Sequence, residues 1–416
     1  MQRGRALRRL GLVGCCAVFL AGWCSSAGAS TSSSASKPSG SAIPVGFVGS
    51  VSGSASSSEA STMTVFNAWI RQVNATGGID GHPLKGYAFD DQNVGSTALQ
   101  DVKTLVTQDH VVAIVGDSSN VDAVWGNYVA STGVPVVGGQ SINAVFFTNA
   151  DFYPTGPNPI ASIYAQFAVT ANAGGHSTAA LYCAEEAECA QLKLLYQGFN
   201  GADGIKTGPV LPVSATASDY TAVCQAIKSS GVSSYSVASF TSAVIRVYKA
   251  CATQGVKAVL SQNDGTVSPS LLGVVKGGFL GIDDNVPYFV SSTPATKAYR
   301  SFLAQYAPSV KGTLDDPNAQ YVYIAGQLFE ATIKAANVTH ATNVTSATVK
   351  KGLYSLKGVT LGGLTQPLTY VPGKPTMLNC WFNVGIQGNK FTTPKGLKPE
   401  CASNAVINGV LKKLGA

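Results

Sequence analysis

Between Ala42 and Gln262, short apolar, β-branched runs take turns with stripes of helical period. "IPVGFVG" precedes a stripe at Phe66, Trp69, Ile70 and Val73; "GYAFDD" precedes Leu99, Val102 and Val106; "VVAIVG" and "VPVVGG" follow. Strands that are apolar throughout, rather than at every second residue, fit a parallel sheet covered by helices on both faces. After Pro157 the rhythm restarts with a helix on Ile160, Ile163, Tyr164 and Phe167, the strand "STAALYC", a helix on Leu192, Leu195, Tyr196 and Phe199, and the runs "TGPVLPV", "YSVASF" and "KAVLSQ". Two successive α/β units are therefore expected, and a chain of 416 residues, 45% hydrophobic and 12% charged, can fill both cores. From about Val286 onward strands are too few for a third unit. The stripe at Tyr321, Ile324, Leu328 and Ile333 is expected to complete the first two.

The N-terminus reads as an export signal, residues 1–29: Arg3, Arg5, Arg8 and Arg9 precede an apolar run from Leu10 to Trp23 that is too short to span a bilayer. Two processing readings stand side by side. Ala27-Gly28-Ala29 fits a small-x-small cleavage site, and Cys24 after Leu20-Ala21-Gly22 approximates a lipoprotein box interrupted by Trp23. The Ser/Ala-rich stretch 30–42 has the composition of a flexible tether. An exported protein is expected in the cell envelope or outside the cell, with lipid anchoring to the outer face of the cytoplasmic membrane as the open alternative. Formal net charge is +7, and four of those charges are the leader arginines. With the remaining lysines scattered, nucleic acid is not implied as a partner.

Six cysteines follow the leader: Cys183, Cys189, Cys224, Cys251, Cys380 and Cys401. An even number in an exported chain points to disulfides. Tyr220, Val223, Cys224 and Ile227, and likewise Val244, Val247, Tyr248 and Cys251, follow the i, i+3, i+4, i+7 pattern, so both sulfurs fall on buried helix faces. Those helices flank one strand, which favours Cys224 with Cys251, leaving Cys183 with Cys189 and Cys380 with Cys401 as local loops. No metal site is expected, since no histidine neighbours them and no C-x-x-C occurs.

The stretch "NATGGIDGHPLKGYAFDDQN", 74–93, carries its own turn chemistry. Gly77 and Gly78 supply left-handed residues that end a helix, Ile79 folds back as the apolar contact, and Asp80-Gly81 turns into a strand. Asp90 and Asp91 then fall where that strand leaves the sheet. In open α/β sheets ligands collect outside those ends, although such a pair also caps an ordinary turn.

Taken together, "VGSVSG" at 48–53, "NATGGIDG", "DDQN", "LVTQDHVVAIVGDSS" and "GVPVVG" occur in the order and at the spacing of the type I periplasmic binding proteins, which the chain resembles over roughly 43–390. The similarity is to the leucine/isoleucine/valine-binding family that feeds ABC importers. It implies an α/β fold of two Rossmann-like lobes with parallel sheets, joined by a three-crossover hinge. Lobe 1 would be 43–156 with 292–376, and lobe 2 would be 157–291 with 377–416.

By the same resemblance an amino-acid head group would meet Ser118 and Ser119 of "GDSSN", the Gly139 backbone and the Ser141 hydroxyl of "GGQS", and, from lobe 2, the Asp264 carboxylate of "SQNDG" facing the ammonium. Hydroxyls and backbone N–H groups suit a carboxylate, while a buried ammonium needs a counter-charge. Read alone, each serine is a loop residue or cap, and Asn263-Asp264-Gly265 is a turn. The chain departs from the family pattern at Phe240 and Ser58, where the amino-acid binders carry tyrosines, and at Glu188, near another aromatic pocket position. A larger, more polar or cationic ligand then becomes conceivable. Tyr153 and Asn158, near the first crossover, and more remotely Tyr321, are further candidates.

The four histidines, His82, His110, His176 and His340, form no H-E-x-x-H, and the sequence contains no G-x-S-x-G, Walker A or G-x-G-x-x-G motif. An enzyme is not expected, nor is a cofactor. The expectation is a monomeric solute-binding protein for an amino acid or similar small polar solute, with an ABC permease and its ATPase subunits as partners. The alternative is a ligand-sensing receptor domain of the same fold acting with a separate membrane protein.

Overall fold

The computed structural model describes residues 38–185 and 187–414. The export signal and the tether up to residue 37 lie outside the described residues, as does the Glu188 side chain. The last residues assigned to the tether belong to the folded part instead: Gly40 N donates to Gly81 O at 2.9 Å, and the His82 ring lies between the carbonyls of Ser41 and Thr339.

Five strands, β1 (Ile43–Gly49), β2 (Leu84–Asp90), β3 (Ala113–Asp117), β4 (Val136–Gly139) and β5 (Phe152–Tyr153), form a parallel sheet in the order 2-1-3-4-5. The order reverses between β1 and β3, which opens a crevice at their carboxyl ends. The second sheet repeats the plan. β6 (Ser177–Cys183), β7 (Lys206–Val213), β8 (Ser234–Ala238), β9 (Val259–Gln262) and β10 (Phe279–Asp283) run parallel in the order 7-6-8-9-10. A small hairpin, β11 (Lys357–Val359) with β12 (Leu368–Thr369), stands apart.

Here the structure departs from an all-parallel expectation. β13 (Cys380–Gln387) pairs antiparallel with β10 and carries β14 (Lys390–Thr392) and β15 (Glu400–Cys401). A strand entering the second sheet straight from a crossover, without a helix to carry it back, arrives in the opposite direction to its neighbour.

The turn at 77–81 is built as its residues dictate. Gly77 and Gly78 have φ of 99° and 77°, Gly78 N returns to Val73 O, and Ile79 is buried. Asp80 and Gly81, both at positive φ, close the turn into β2. The stripe beginning at Tyr321 lies in the helix Pro317–Ala335, which packs on β3, β4 and the helix Thr62–Ala75. Trp69 is buried at that contact, edge-on to Phe329, with its indole N–H on Glu330.

Between the sheets the chain passes three times, and the passages lie side by side. Tyr370 Oη donates to Pro154 O at 2.8 Å, and Asn158 donates through both its backbone N and Nδ2 to Leu378 O. Gly156 lies so close to Asp284 that a Cβ there would sit 2.8 Å from the Asp284 Cβ.

The three disulfides are Cys183–Cys189, Cys224–Cys251 and Cys380–Cys401, each of which pairs the cysteines the sequence pairs. Cys224 and Cys251 are buried on the facing helices Thr221–Ser230 and Thr241–Thr253. Replacing both by alanine should cost about 3.5 kcal/mol in a urea titration, the loop-closure entropy of a bridge spanning 27 residues. An unchanged unfolding midpoint would mean that helix packing alone fixes the contact.

Candidate functional site

The carboxyl ends of β1 and β3 form one wall. Ser50, just after β1, donates its hydroxyl to Asp91 Oδ1 at 2.6 Å and accepts from Asn120 N. The chain then folds into the short helix Ser56–Glu59, which carries Glu59 inward to 1% exposure. Glu59 Oε2 accepts from Ser118 Oγ at 2.6 Å and from Tyr321 Oη at 2.8 Å. Nothing in the sequence analysis singled out Glu59. Its signal was there, since it is the sole charged residue between Ile43 and Arg71, set in a serine-rich run.

Of the residues carried over by resemblance, Ser118 is thus occupied by a side chain of the protein itself. Ser119 turns back into its own loop, its hydroxyl accepting from Val121 N and Trp125 Nε1. Gly139 ends β4 at φ 127°, its Cα so close to β3 that a Cβ would lie 2.4 Å from Asp117 O. Next to it, Gln140 turns its amide nitrogen toward Asn318 Oδ1 at 3.5 Å, and Gln140 Oε1 and Ser141 Oγ are buried without protein partners. Tyr153 is a packing residue instead. It stands edge-on to Tyr370 with its hydroxyl 2.9 Å from that of Tyr354, because β5 is the edge strand farthest from the crevice.

From the second sheet, the segments after β8, β9 and β10 face this wall. Phe240 is half-buried at the N-cap of the helix Thr241–Thr253. That helix's free N–H groups are met from the first wall: Thr241 N donates to Ser58 Oγ at 3.2 Å and Ser242 N to Ser57 Oγ at 3.3 Å. Asp264 follows β9 and accepts from Asp284 N at 3.0 Å. Asn318 joins the walls, its Nδ2 donating to Ser58 O at 2.9 Å and to Gly265 O at 3.0 Å. Asn318 and Asp284 went unremarked in the sequence, being an ordinary helix-start asparagine and one of two aspartates beside a strand.

Electrostatically the crevice is one-sided. Desolvation pushes the Glu59 carboxyl up to about 7 against the pull of its Ser118 and Tyr321 bonds, and burial lifts Asp264 to about 7. Asp283, Asp284 and Asp316 are likewise held well above the carboxylate range, first by burial and then by one another or by Asp264 and Glu59. Among the described residues, the ion pairs are Arg300–Asp315, Lys334–Glu330, Lys350–Asp151 and Lys395–Glu400, so none of these five acids has a basic partner. No three of the described acids, histidines or cysteines are arranged to hold a metal ion. Two concavities of about 320 and 150 Å³ lie along β7, lined by Lys193 and Asn200 or by Asp219 and Tyr220, away from the crevice.

A two-sheet α/β body with polar side chains from both sheets meeting at their strand ends is matched by a family model described as periplasmic binding protein, over residues 42–390. The chain belongs to the periplasmic binding protein family. Among curated proteins none matches it in sequence. Similar solved structures of this kind include a valine-bound branched-chain amino acid ABC transporter protein from Thermus thermophilus, at TM-score 0.76 and 13% identity, covering 90% of this chain and 99% of that one. A fatty acid ABC transporter substrate-binding protein from Thermomonospora curvata aligns at TM-score 0.72 and 14% identity, covering 88% and 94%. An isoleucine-bound branched-chain amino acid transporter substrate-binding protein from Streptococcus pneumoniae aligns at 0.66 and 15%, covering 87% and 99%. The family and fold are those of extracytoplasmic substrate-binding proteins rather than of enzymes. No helix among the described residues is long and apolar enough to cross a membrane.

Proposed function

We propose that this periplasmic binding protein is the solute-binding component of an ABC importer, closing two lobes, 43–156 with 292–376 and 157–291 with 377–416, around a small polar solute. The observation that carries the reading is Asn318, which holds Ser58 of the first wall and Gly265 of the second in one side-chain grip. Ser118, Gly139 and Ser141 would line one lobe, and Phe240 and Asp264 the other. Closure is favoured when the solute gains contacts with both walls that it lacks in the open form. The three adjacent passages provide the hinge, and Asn158, tied to Leu378, is its pivot. The protein itself catalyses nothing. Its closed form would be handed to a membrane permease, and the ATPase subunits would supply the energy.

The test is small-angle scattering with thermal denaturation of the exported protein across a panel of small solutes. A true solute should shrink the radius of gyration and, at a hundredfold excess over its Kd, raise Tm by on the order of 5 °C. If no solute moves either quantity, the importer reading fails.

A further inference from the structure

Resting on that solute-binding reading, we propose that the solute is an organic cation, presenting ammonium or amidine N–H groups to the crevice, and that Glu59 excludes a ligand carboxylate from it. The hydroxyls of Ser118 and Tyr321 that could have received an anion are already bonded to Glu59 Oε2. Near Asn318 and Asp264 the unpartnered acceptors outnumber the unpartnered donors, which are the amide nitrogens of Gln262 and Gln320. Both carboxylate oxygens of Asp283, Asp284 Oδ1 and Gln140 Oε1 are buried with no hydrogen-bond donor, on side chains at least nine-tenths buried. Ser141 Oγ can act either way.

Glu59, Asp264, Asp283, Asp284 and Asp316 sit within electrostatic reach of one another, and the described residues give them no lysine or arginine. An incoming carboxylate would find no basic side chain and would push these buried acids still further from ionisation; an incoming ammonium supplies donors together with the positive charge that lets them ionise around it. Because no three of these acids converge in metal-ligating geometry, the complement is a cation that spreads its N–H groups over several acceptors.

Calorimetric titration of the exported protein with 1,4-diaminobutane, spermidine and leucinamide, set against leucine and 4-methylpentanoate, tests this. At least one of the three amines should bind, with leucine and 4-methylpentanoate roughly tenfold weaker or worse. Glu59→Gln keeps an amide oxygen for Ser118 and Tyr321, and it should weaken the bound amine by roughly tenfold or more. Asp284→Asn, changed separately, should weaken it as well. If leucine or 4-methylpentanoate binds as tightly as any amine and compacts the protein, the cation assignment falls while the solute-binding reading stands. If none of the amines binds, or if both folded variants hold the amine as tightly as the parent, the assignment also falls.

Discussion

Without ligand, the protein should lose stability as pH rises from 5 to 8, the reverse of a protein whose carboxylates are salt-bridged. Glu59 is lifted from its ordinary 4.5 to about 7, foremost by desolvation. Between those values the folded chain keeps a proton that the unfolded chain has released. The associated stability is complete below about 4.5 and disappears as pH climbs through 7. For Glu59 alone this is roughly 3 kcal/mol. Asp264, raised from 3.8 to about 7, and Asp122, raised to about 8, act in the same direction. Around Glu59 stand Ser118, Tyr321, Gln140, Asp264 and Asp316, none of them cationic. Glu185 and Asp219 are shifted the other way but lie on the surface, where solvent screens them. Calorimetric Tm values in amine-free buffers should therefore fall across this range, and Glu59→Gln should flatten the slope. A Tm that holds or rises would mean that the buried acids already have a counter-charge.

Gly139→Ala should be the most damaging single methyl addition at the site. Its φ of 127° lies where L-residues are strained, and the added Cβ would press on backbone atoms of β3, 2.4 Å from Asp117 O and 2.8 Å from Asp117 N. Backbone in the middle of a parallel sheet has little room to give. A loss of about 3 kcal/mol or more in urea unfolding is expected, together with displacement of Gln140 from Asn318. A loss below about 1 kcal/mol would show that β3 and β4 can separate at this end, and the role given to Gly139 would have to be withdrawn.

Much of the architecture was legible because it rests on local periodicity. Continuous apolar strands, helical stripes and the glycine pair at 77–78 each say what they will do without knowing their neighbours, and the helical phases of Cys224 and Cys251 pointed to that bridge for the same reason, whereas the other two pairs rested only on their closeness in sequence. The antiparallel β13 was not legible, since a strand's direction is set by how the chain enters the sheet, not by its residues. The site was read less well. Ser118 was reachable by motif, yet its occupation by Glu59 depends on a residue 59 positions away in sequence and on the Tyr321 hydroxyl from a third segment. Tyr153 was drawn toward the crevice by its nearness to a crossover. In three dimensions, its ring serves the packing around Tyr370.

The hydrogen bonds that hold the two walls together are made by Ser57, Ser58, Thr241, Ser242 and Asn318. Water can replace every one of them, and each is worth only about 1 kcal/mol net. Such a seam behaves like a latch rather than a weld. Parting it exposes polar groups already suited to solvent, so the seam itself does little to keep the walls shut; under the proposed function, residence of a solute would set how long they stay closed.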